Sequence, residues 1–283
     1  MIPEPGRYED IPEETYHREW EALNASTLGY LKRSPLYCKW RMENPDVGTP
    51  ATDFGSAVHC AVLEPEAFGE RYMLEPQCPP EYKPRGWHNR TEYKEAKADL
   101  HERGFKLLSQ KELDGCRTIT DRIYDTPGEI RELLAAKSGT EVSYVASNDG
   151  LRCKVRPDIE VRDCQMVVDL KTARCAMPGP FERAIYQYGY HRTKPFYLET
   201  MNLAENTMMW KYYLFLVVEN TPPYEVALYD LDPAATDLGR REMVELKILY
   251  NKCMDSGEWP GYPTHIQTIG VPNWAYYEET DDE

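Results

Sequence analysis

The stretch Leu151-Arg152-Cys153-Lys154-Val155-Arg156-Pro157-Asp158-Ile159-Glu160-Val161-Arg162-Asp163-Cys164-Gln165-Met166-Val167-Val168-Asp169-Leu170-Lys171 decides the fold. It reads as two short strands joined by a turn. In the first, Leu151, Cys153 and Val155 alternate with Arg152, Lys154 and Arg156, a period of two that gives one apolar and one basic face. Pro157 ends the pairing because it has no N–H for a ladder, and Asp158 follows at the strand's mouth. The second strand runs from about Gln165 to Lys171. Met166, Val168 and Leu170 share one of its faces, and Val167, Asp169 and Lys171 the other, so Asp169 and Lys171 project side by side.

Two carboxylates on neighbouring strands can hold a hard divalent cation such as Mg²⁺, which takes oxygen ligands. A lysine beside them can position a water, help deprotonate it and offset developing negative charge. Asp158, Asp169 and Lys171 therefore form the pattern that a metal-dependent phosphodiesterase needs. Arg-Pro-Asp, ten residues, and Asp-Leu-Lys resemble the PD-(D/E)XK nuclease superfamily. Taken alone, the stretch fits a solvated hairpin with a surface salt bridge as well.

A chain of 283 residues, 41% of them hydrophobic, can bury a core as one large domain or two small ones. No apolar run approaches the roughly 20 residues of a membrane span. Met1-Ile2-Pro3-Glu4-Pro5 lacks the basic-then-apolar layout of a signal peptide. The eight cysteines include no Cys-x-x-Cys pair, and the equally spaced Cys153, Cys164 and Cys175 have no fourth partner. The expectation is a cytoplasmic protein with reduced, inert thiols and no zinc or iron–sulfur site. The net charge of −15 is unfavourable for a phosphate-binding partner, but residues 151–195 hold 9 Lys and Arg against 5 Asp and Glu. That local excess could form a basic active face on an acidic body, with acid concentrated in Glu278-Glu279-Thr280-Asp281-Asp282-Glu283. Ordinary fluctuation of charge along a chain accounts for it equally well.

Residues 1–22 read as an extended lead-in. Asn24-Ala25-Ser26-Thr27 offers capping oxygens to a helix, Ser34-Pro35 restarts it, a second helix covers Pro35 to Met42, and a loop spans 44–50. Thr52 to Pro65 reads as a capped helix closed by proline, with Phe54, Val58, Ala61 and Val62 on its apolar face. Gly55, Ser56 and Ala57 are small enough to admit another backbone. His59, in mid-helix, is by itself more often a hydrogen-bonded core residue than a ligand.

Residues 66–140 read as a loop followed by helices near 91–107, 109–124 and 127–136, a helical insert that would cover the cleft. Ser109 and Glu112 suit a capping box. Lys83, Arg85, His88 and Arg90 could touch phosphate or simply be solvated. A strand over 140–147 enters the turn Asn148-Asp149-Gly150. Glu141 either extends the acidic site or stands as a solvent-facing edge carboxylate. Beyond Lys171 come a helix from about Phe181 with an aromatic continuation to Tyr197, a hairpin of strands over 211–219 and 224–230 in the central sheet, and a helix from Pro233 to about Met254. The chain has no internal repeat and no Gly-rich phosphate loop, which argues against a helicase motor.

A resemblance now covers nearly the whole chain, from about residue 16 to 275. Leu23-Asn24-Ala25-Ser26-Thr27-Leu28, Ser34-Pro35, Phe54-Gly55-Ser56-Ala57-Val58-His59 and Leu63-Glu64-Pro65 are similar to the opening of the RecE-type exonuclease domain, that of exodeoxyribonuclease VIII. Lys154-Val155-Arg156-Pro157-Asp158 and Val168-Asp169-Leu170-Lys171-Thr172 look like its catalytic strands, and Trp259-Pro260-Gly261-Tyr262 also matches. The resemblance implies a single α/β domain over 1–283, a restriction-endonuclease-like PD-(D/E)XK core with a central mixed sheet flanked by helices. It implies that His59, Asp158, Asp169 and the Leu170 carbonyl bind Mg²⁺, with Mn²⁺ as a substitute. Lys171 would orient the attacking water, Tyr197 and Arg156 would support the site, and Arg156, Arg174 and Arg192 would face DNA. The family's Tyr-His-x-Gln-x-x-x-Tyr run is matched by Tyr190, His191 and Tyr197, but Thr193 stands where the glutamine belongs. Gln187 could substitute from a turn or so earlier, and Pro195 predicts a kink. The implied substrate is double-stranded DNA ends, resected 5′→3′ in phage or prophage-type recombination by a ring-shaped homo-oligomer partnered by a single-strand annealing protein. Two other readings stand beside it: a RecB-like nuclease with another end or strand preference, and a catalytically idle DNA-binding or assembly module.

Overall fold

The computed structural model describes residues 1–44 and 50–272. The loop expected over 44–50, apart from its first and last residues, and the acidic run Glu278–Glu283 lie outside them, as does the Thr52 side chain. The lead-in is part of the fold: β1 (Gly6–Tyr8) pairs antiparallel with residues 143–145. A π-helical turn, Thr15–Glu19, then buries Tyr16 and Trp20 against Val145. α1 (Ala25–Gly29) starts where Asn24 Oδ1 accepts the Thr27 N–H at 2.8 Å, and α2 (Pro35–Glu43) where Ser34 Oγ accepts that of Tyr37 at 3.1 Å. Proline at the first position of α2 and of α4 (Pro65–Arg71) costs no helical hydrogen bond. Between them lies α3 (Pro50–Leu63), which carries His59.

The next segment is less helical than expected. β2 (Tyr72–Leu74) precedes α5 (Thr91–Glu102), which stops well short of Leu107. Gly104 turns the chain at φ +89° into β3 (Lys106–Leu108), which pairs parallel with β2. α6 (Gln110–Asp125) has the expected Ser109/Glu112 capping box, and α7 (Glu129–Ala135) follows. Cys116, Ile119 and Ile123 repeat at helical spacing on α6. They join Ile130 and Leu134 of α7, and Val58 and Val62 of α3, in one apolar cluster.

The decisive stretch differs from its two-strand reading. β4 (Gly139–Thr140), β5 (Ser143–Asn148), β6 (Leu151–Val155), β7 (Ile159–Val161) and β8 (Met166–Ala173) follow in turn. β6 and β8 are not partners: β7, absent from the sequence reading, stands between them and pairs antiparallel with β8. β5 pairs with β6 and β4 with β7, and Tyr144↔Val155 and Thr140↔Ile159 share one register. The four strands are thus one long hairpin, turned at Asp149-Gly150 with both φ positive and interrupted at Pro157. Beyond the interruption its halves belong to different sheets, β1-β5-β6 and β10-β9-β8-β7-β4.

The basic face of β6 is covered rather than open. Lys154 is buried, its Nζ donating to the carbonyls of Tyr16 and, at 3.0 Å, Trp20. Arg156 donates to Ser143 Oγ and the Ile11 carbonyl, both at 2.9 Å. The lead-in supplies three of these four acceptors, so Lys154 and Arg156 are engaged inside the fold.

α8 (Pro178–Tyr188) and α9 (Tyr190–Ala204) replace the single kinked helix, broken at Gly189 with φ +77°. β9 (Tyr212–Glu219) runs parallel to β8, and β10 (Val226–Asp230) turns back antiparallel, the expected hairpin. α10 (Pro233–Ser256) closes the fold. The central sheet is therefore mixed. Val168 and Leu170 face the cluster of α3, α6 and α7, while Val167, Tyr213 and Phe215 face that of α8 and α9. This is the α/β core with helices on both faces that the resemblance implied. Pro195, inside α9, has no N–H for the His191 carbonyl. α10 crosses at that point with Gly239, where a Cβ would lie 1.9 Å from the same oxygen. Trp259 packs edge-on against Tyr250, and the Pro260 carbonyl accepts the Leu36 N–H, so the Trp-Pro-Gly-Tyr motif ties the chain's end to α2. All eight cysteines are free. Among the described residues no helix is long and apolar enough to cross a membrane.

Candidate active site

The site lies at the interruption of the long hairpin. Counting along the shared register opposes Glu141 to Asp158, and the Glu141 N–H donates to the Asp158 carbonyl at 3.2 Å. One step beyond Ile159↔Val168, the β7–β8 register brings Asp158 opposite Asp169. β7 has ended there, and the Leu170 N–H, left without a strand partner on that side, donates to Asp158 Oδ2 at 2.6 Å. Three carboxylates thus stand in a row across the sheet.

α3 brings the imidazole. Its small residues allow the approach: a Cβ on Gly55 would lie 3.3 Å from Thr172 Oγ1 at the end of β8. His59 Nδ1 lies 3.6 Å from Asp158 Oδ2. Ligand atoms of His59, Glu141 and Asp158 all fall within 4.8 Å of one another. Lys171 Nζ pairs with Asp169 Oδ2 and lies 3.4 Å from the Leu170 carbonyl oxygen.

Like-charged carboxylates facing each other out of water are costly unless a proton or a cation stands between them. Burial, then the Asp158 charge, pushes Glu141 up to about 8. Burial raises Asp158 too, with His59 opposing and Asp169 reinforcing the shift. For Lys171 burial works against the ammonium, but Asp169 and Asp158 outweigh it and hold the group above the ordinary lysine range. Glu141 itself has φ +53°, uncommon for a non-glycine residue and placed at the metal-suited cluster. An oxygen-rich donor set with one imidazole suits a divalent cation.

The other candidates scatter. Half-buried Tyr197 on α9 stands edge-on to Tyr213 at 5.7 Å; burial, with Asp169 and Asp158 among the nearby charges, raises its hydroxyl well above the usual range. Tyr190 faces Lys171, whose Nζ lies 5.3 Å from the ring centroid. Arg156 lines the cleft of about 410 Å³ that holds His59 and Glu141. Arg174 is exposed just past β8, whereas Arg192 is turned to Glu242 of α10 at 2.7 Å. Gln187 is exposed on α8, a helix separate from the one that carries Tyr197, and Thr193 is half-buried. Of the two positions the sequence left open for Glu141, the structure has the one beside the acidic pair rather than the solvent-facing edge. Counting back from the Asp149-Gly150 turn would have placed it opposite Asp158.

A mixed sheet flanked by helices that sets an Asp beside Asp-x-Lys is the arrangement of the PD-(D/E)XK nuclease class. This chain belongs to the family described as "PDDEXK-like domain of unknown function (DUF3799)", whose profile matches residues 36–271. The fold is also similar to a crystal structure described as that of a "Putative exonuclease" from Eubacterium rectale, with a TM-score of 0.58 and 13% identity over 95% of this chain and 98% of that one. At that identity the likeness concerns the fold. No curated protein matches the chain in sequence.

Proposed function

We propose that the protein is a Mg²⁺-dependent exodeoxyribonuclease that hydrolyses phosphodiester bonds from double-stranded DNA ends. The observation that carries this reading is the row Glu141, Asp158, Asp169 beside His59 and Lys171, where β7 meets the middle of β8. His59, Asp158 and Asp169 would hold the ion with the Leu170 carbonyl, and Glu141 adds a ligand. When bound, a divalent ion generates the nucleophile and stabilises charge on the phosphoryl and leaving oxygens. Lys171, kept protonated by Asp169, orients the water and balances negative charge building on the phosphate. Asp158 is fixed by the Leu170 N–H, which holds its Oδ2 in one position 3.6 Å from His59 Nδ1. Tyr197 and Arg156 hold the walls of the site. Polarity 5′→3′, a ring-shaped homo-oligomer, a single-strand annealing partner and a role in phage-type recombination come with the RecE-like motifs. A single nuclease domain over 1–283 belongs to the same reading.

Linear duplex DNA labelled at its 5′ or 3′ ends, incubated with Mg²⁺ or EDTA beside a covalently closed circle, tests it. Early release of 5′ label from the linear substrate alone, abolished by EDTA, is expected. Cutting of the circle would make the protein an endonuclease, and no cutting with any divalent ion would leave a binding module. Asp169→Ala should lose metal binding and cleavage while keeping the parental circular dichroism spectrum.

A further inference from the structure

β9 brings a hydroxyl to the acidic row from beneath. In the parallel β8–β9 register Val167 stands beside Tyr213 and Asp169 beside Phe215, all on the face of the sheet that turns to α8 and α9. Asp169 is thus the diagonal neighbour of Tyr213, about 7–8 Å away between backbones, a span that a long aromatic side chain bridges. Tyr213 is fully buried and its ring is pinned: Tyr197 stands edge-on to it at 5.7 Å and Phe215 at 5.3 Å. Packing alone does not require the hydroxyl, since Phe215 fills the next position on the same face without one.

Burial first, and the Asp169 charge after it, raise the Tyr213 hydroxyl well above the usual tyrosine range, so it stays a donor. The Asp169 carboxylate is the acceptor within its reach. The contact falls short of a closed hydrogen bond. The Tyr213 hydroxyl and Asp169 Oδ2 are both buried without a hydrogen-bond partner among the described residues, although Oδ2 ion-pairs with Lys171. A buried donor and a buried acceptor left open side by side are costly unless something draws them together. A carboxylate that ligates a cation is ordinarily held by such a hydrogen bond from behind, which fixes its rotation and the direction of its lone pairs.

We propose that Tyr213 is a positioning residue for the metal site: its hydroxyl donates to the Asp169 carboxylate when that group ligates the cation, and fixes the rotation at which it does so. The proposal rests on the nuclease reading, in which Asp169 is a ligand. Calorimetric titration of Mn²⁺ into the protein at one pH, paired with thermal melts in EDTA, tests it. Tyr213→Phe keeps the ring and removes the hydroxyl. It should weaken Mn²⁺ binding about tenfold. Its melting temperature in EDTA should stay at or above the parental value, because the hydroxyl it removes has no closed hydrogen bond there. In DNA cleavage, kcat should recover toward the parental value at saturating Mn²⁺ with KM for DNA unchanged. Tyr212→Phe, at the exposed neighbour on the other face of β9, should leave Mn²⁺ affinity untouched. A folded Tyr213→Phe protein with parental Mn²⁺ affinity would overturn the proposal. So would a melting temperature in EDTA that falls with the affinity, since the hydroxyl would then be a structural one. If the unaltered protein bound no Mn²⁺, the nuclease reading would fall and this proposal with it, whereas parity between variant and parent removes the proposal alone.

Discussion

Glu141 and Asp158 face each other across a broken hairpin, and the burial of Glu141, reinforced by the Asp158 charge, has a measurable signature. A carboxyl raised from 4.5 to about 8 contributes stability that is complete below the lower value and is lost as pH rises through the upper one. The metal-free protein should therefore lose melting temperature between about pH 5 and 8, and Glu141→Gln should flatten that part of the profile. Thermal melts in EDTA across this range check it; an unchanged slope in the variant would place the titration elsewhere. Much of the candidate site was legible at this scale. Asp158, Asp169 and Lys171 announce themselves because proline and a period of two fix where strand side chains point. His59 needed the family resemblance, since a mid-helix histidine among apolar neighbours does not show which partner it meets. Glu141 stayed between two readings because a strand written through 140–147 does not show that the chain changes sheets after Thr140.

Among elements, the tightest fit is the crossing of α9 and α10. Pro195 leaves the His191 carbonyl without its helical donor, and Gly239 presents a Cα hydrogen to it, a weak hydrogen bond that only a glycine allows here. Gly239→Ala would set a methyl 1.9 Å from that oxygen and force the helices apart. It should cost about 3 kcal/mol in denaturant unfolding; a loss below the error of the fit would show that the crossing yields easily. The lead-in depends on Lys154 in a comparable way. Lys154→Met removes the donor to the Tyr16 and Trp20 carbonyls, so amide exchange in β1 should accelerate while the central strands keep their protection. Exchange in β1 at the parental rate would mean that the aromatic cluster alone holds it. These features explain what the sequence reading could not supply. The alternation of β6 was visible, but its cover, residues 11–20, lies far away in the chain. β7 has three residues, too few for a period to emerge, and its Glu160 looks exposed until Arg7 and Tyr144 meet it in the interior.

For the molecule as a whole, the metal should act as a staple. A divalent ion that binds the native cluster and not the unfolded chain stabilises by about 4 kcal/mol at a thousandfold excess over its dissociation constant. Because Glu141 must give up its proton, the gain in melting temperature with Mg²⁺ should be larger at pH 8.5 than at pH 6. Differential scanning fluorimetry at both values decides; an equal gain would remove Glu141 from the ligand set. The broad architecture was legible because strand and helix periods are local, whereas strand order and the two-sheet hairpin are not. One consequence concerns the order of synthesis. β1 finds its partner only when Val145 has been made, and Tyr16 and Trp20 stay uncovered until the same strand arrives. On the ribosome, residues 143–145 must emerge before β1 and the aromatic pair can settle. A chaperone that shields aromatic segments would meet this protein at Tyr16 and Trp20, and a pause once residue 155 has left the ribosomal tunnel would let that first closure form.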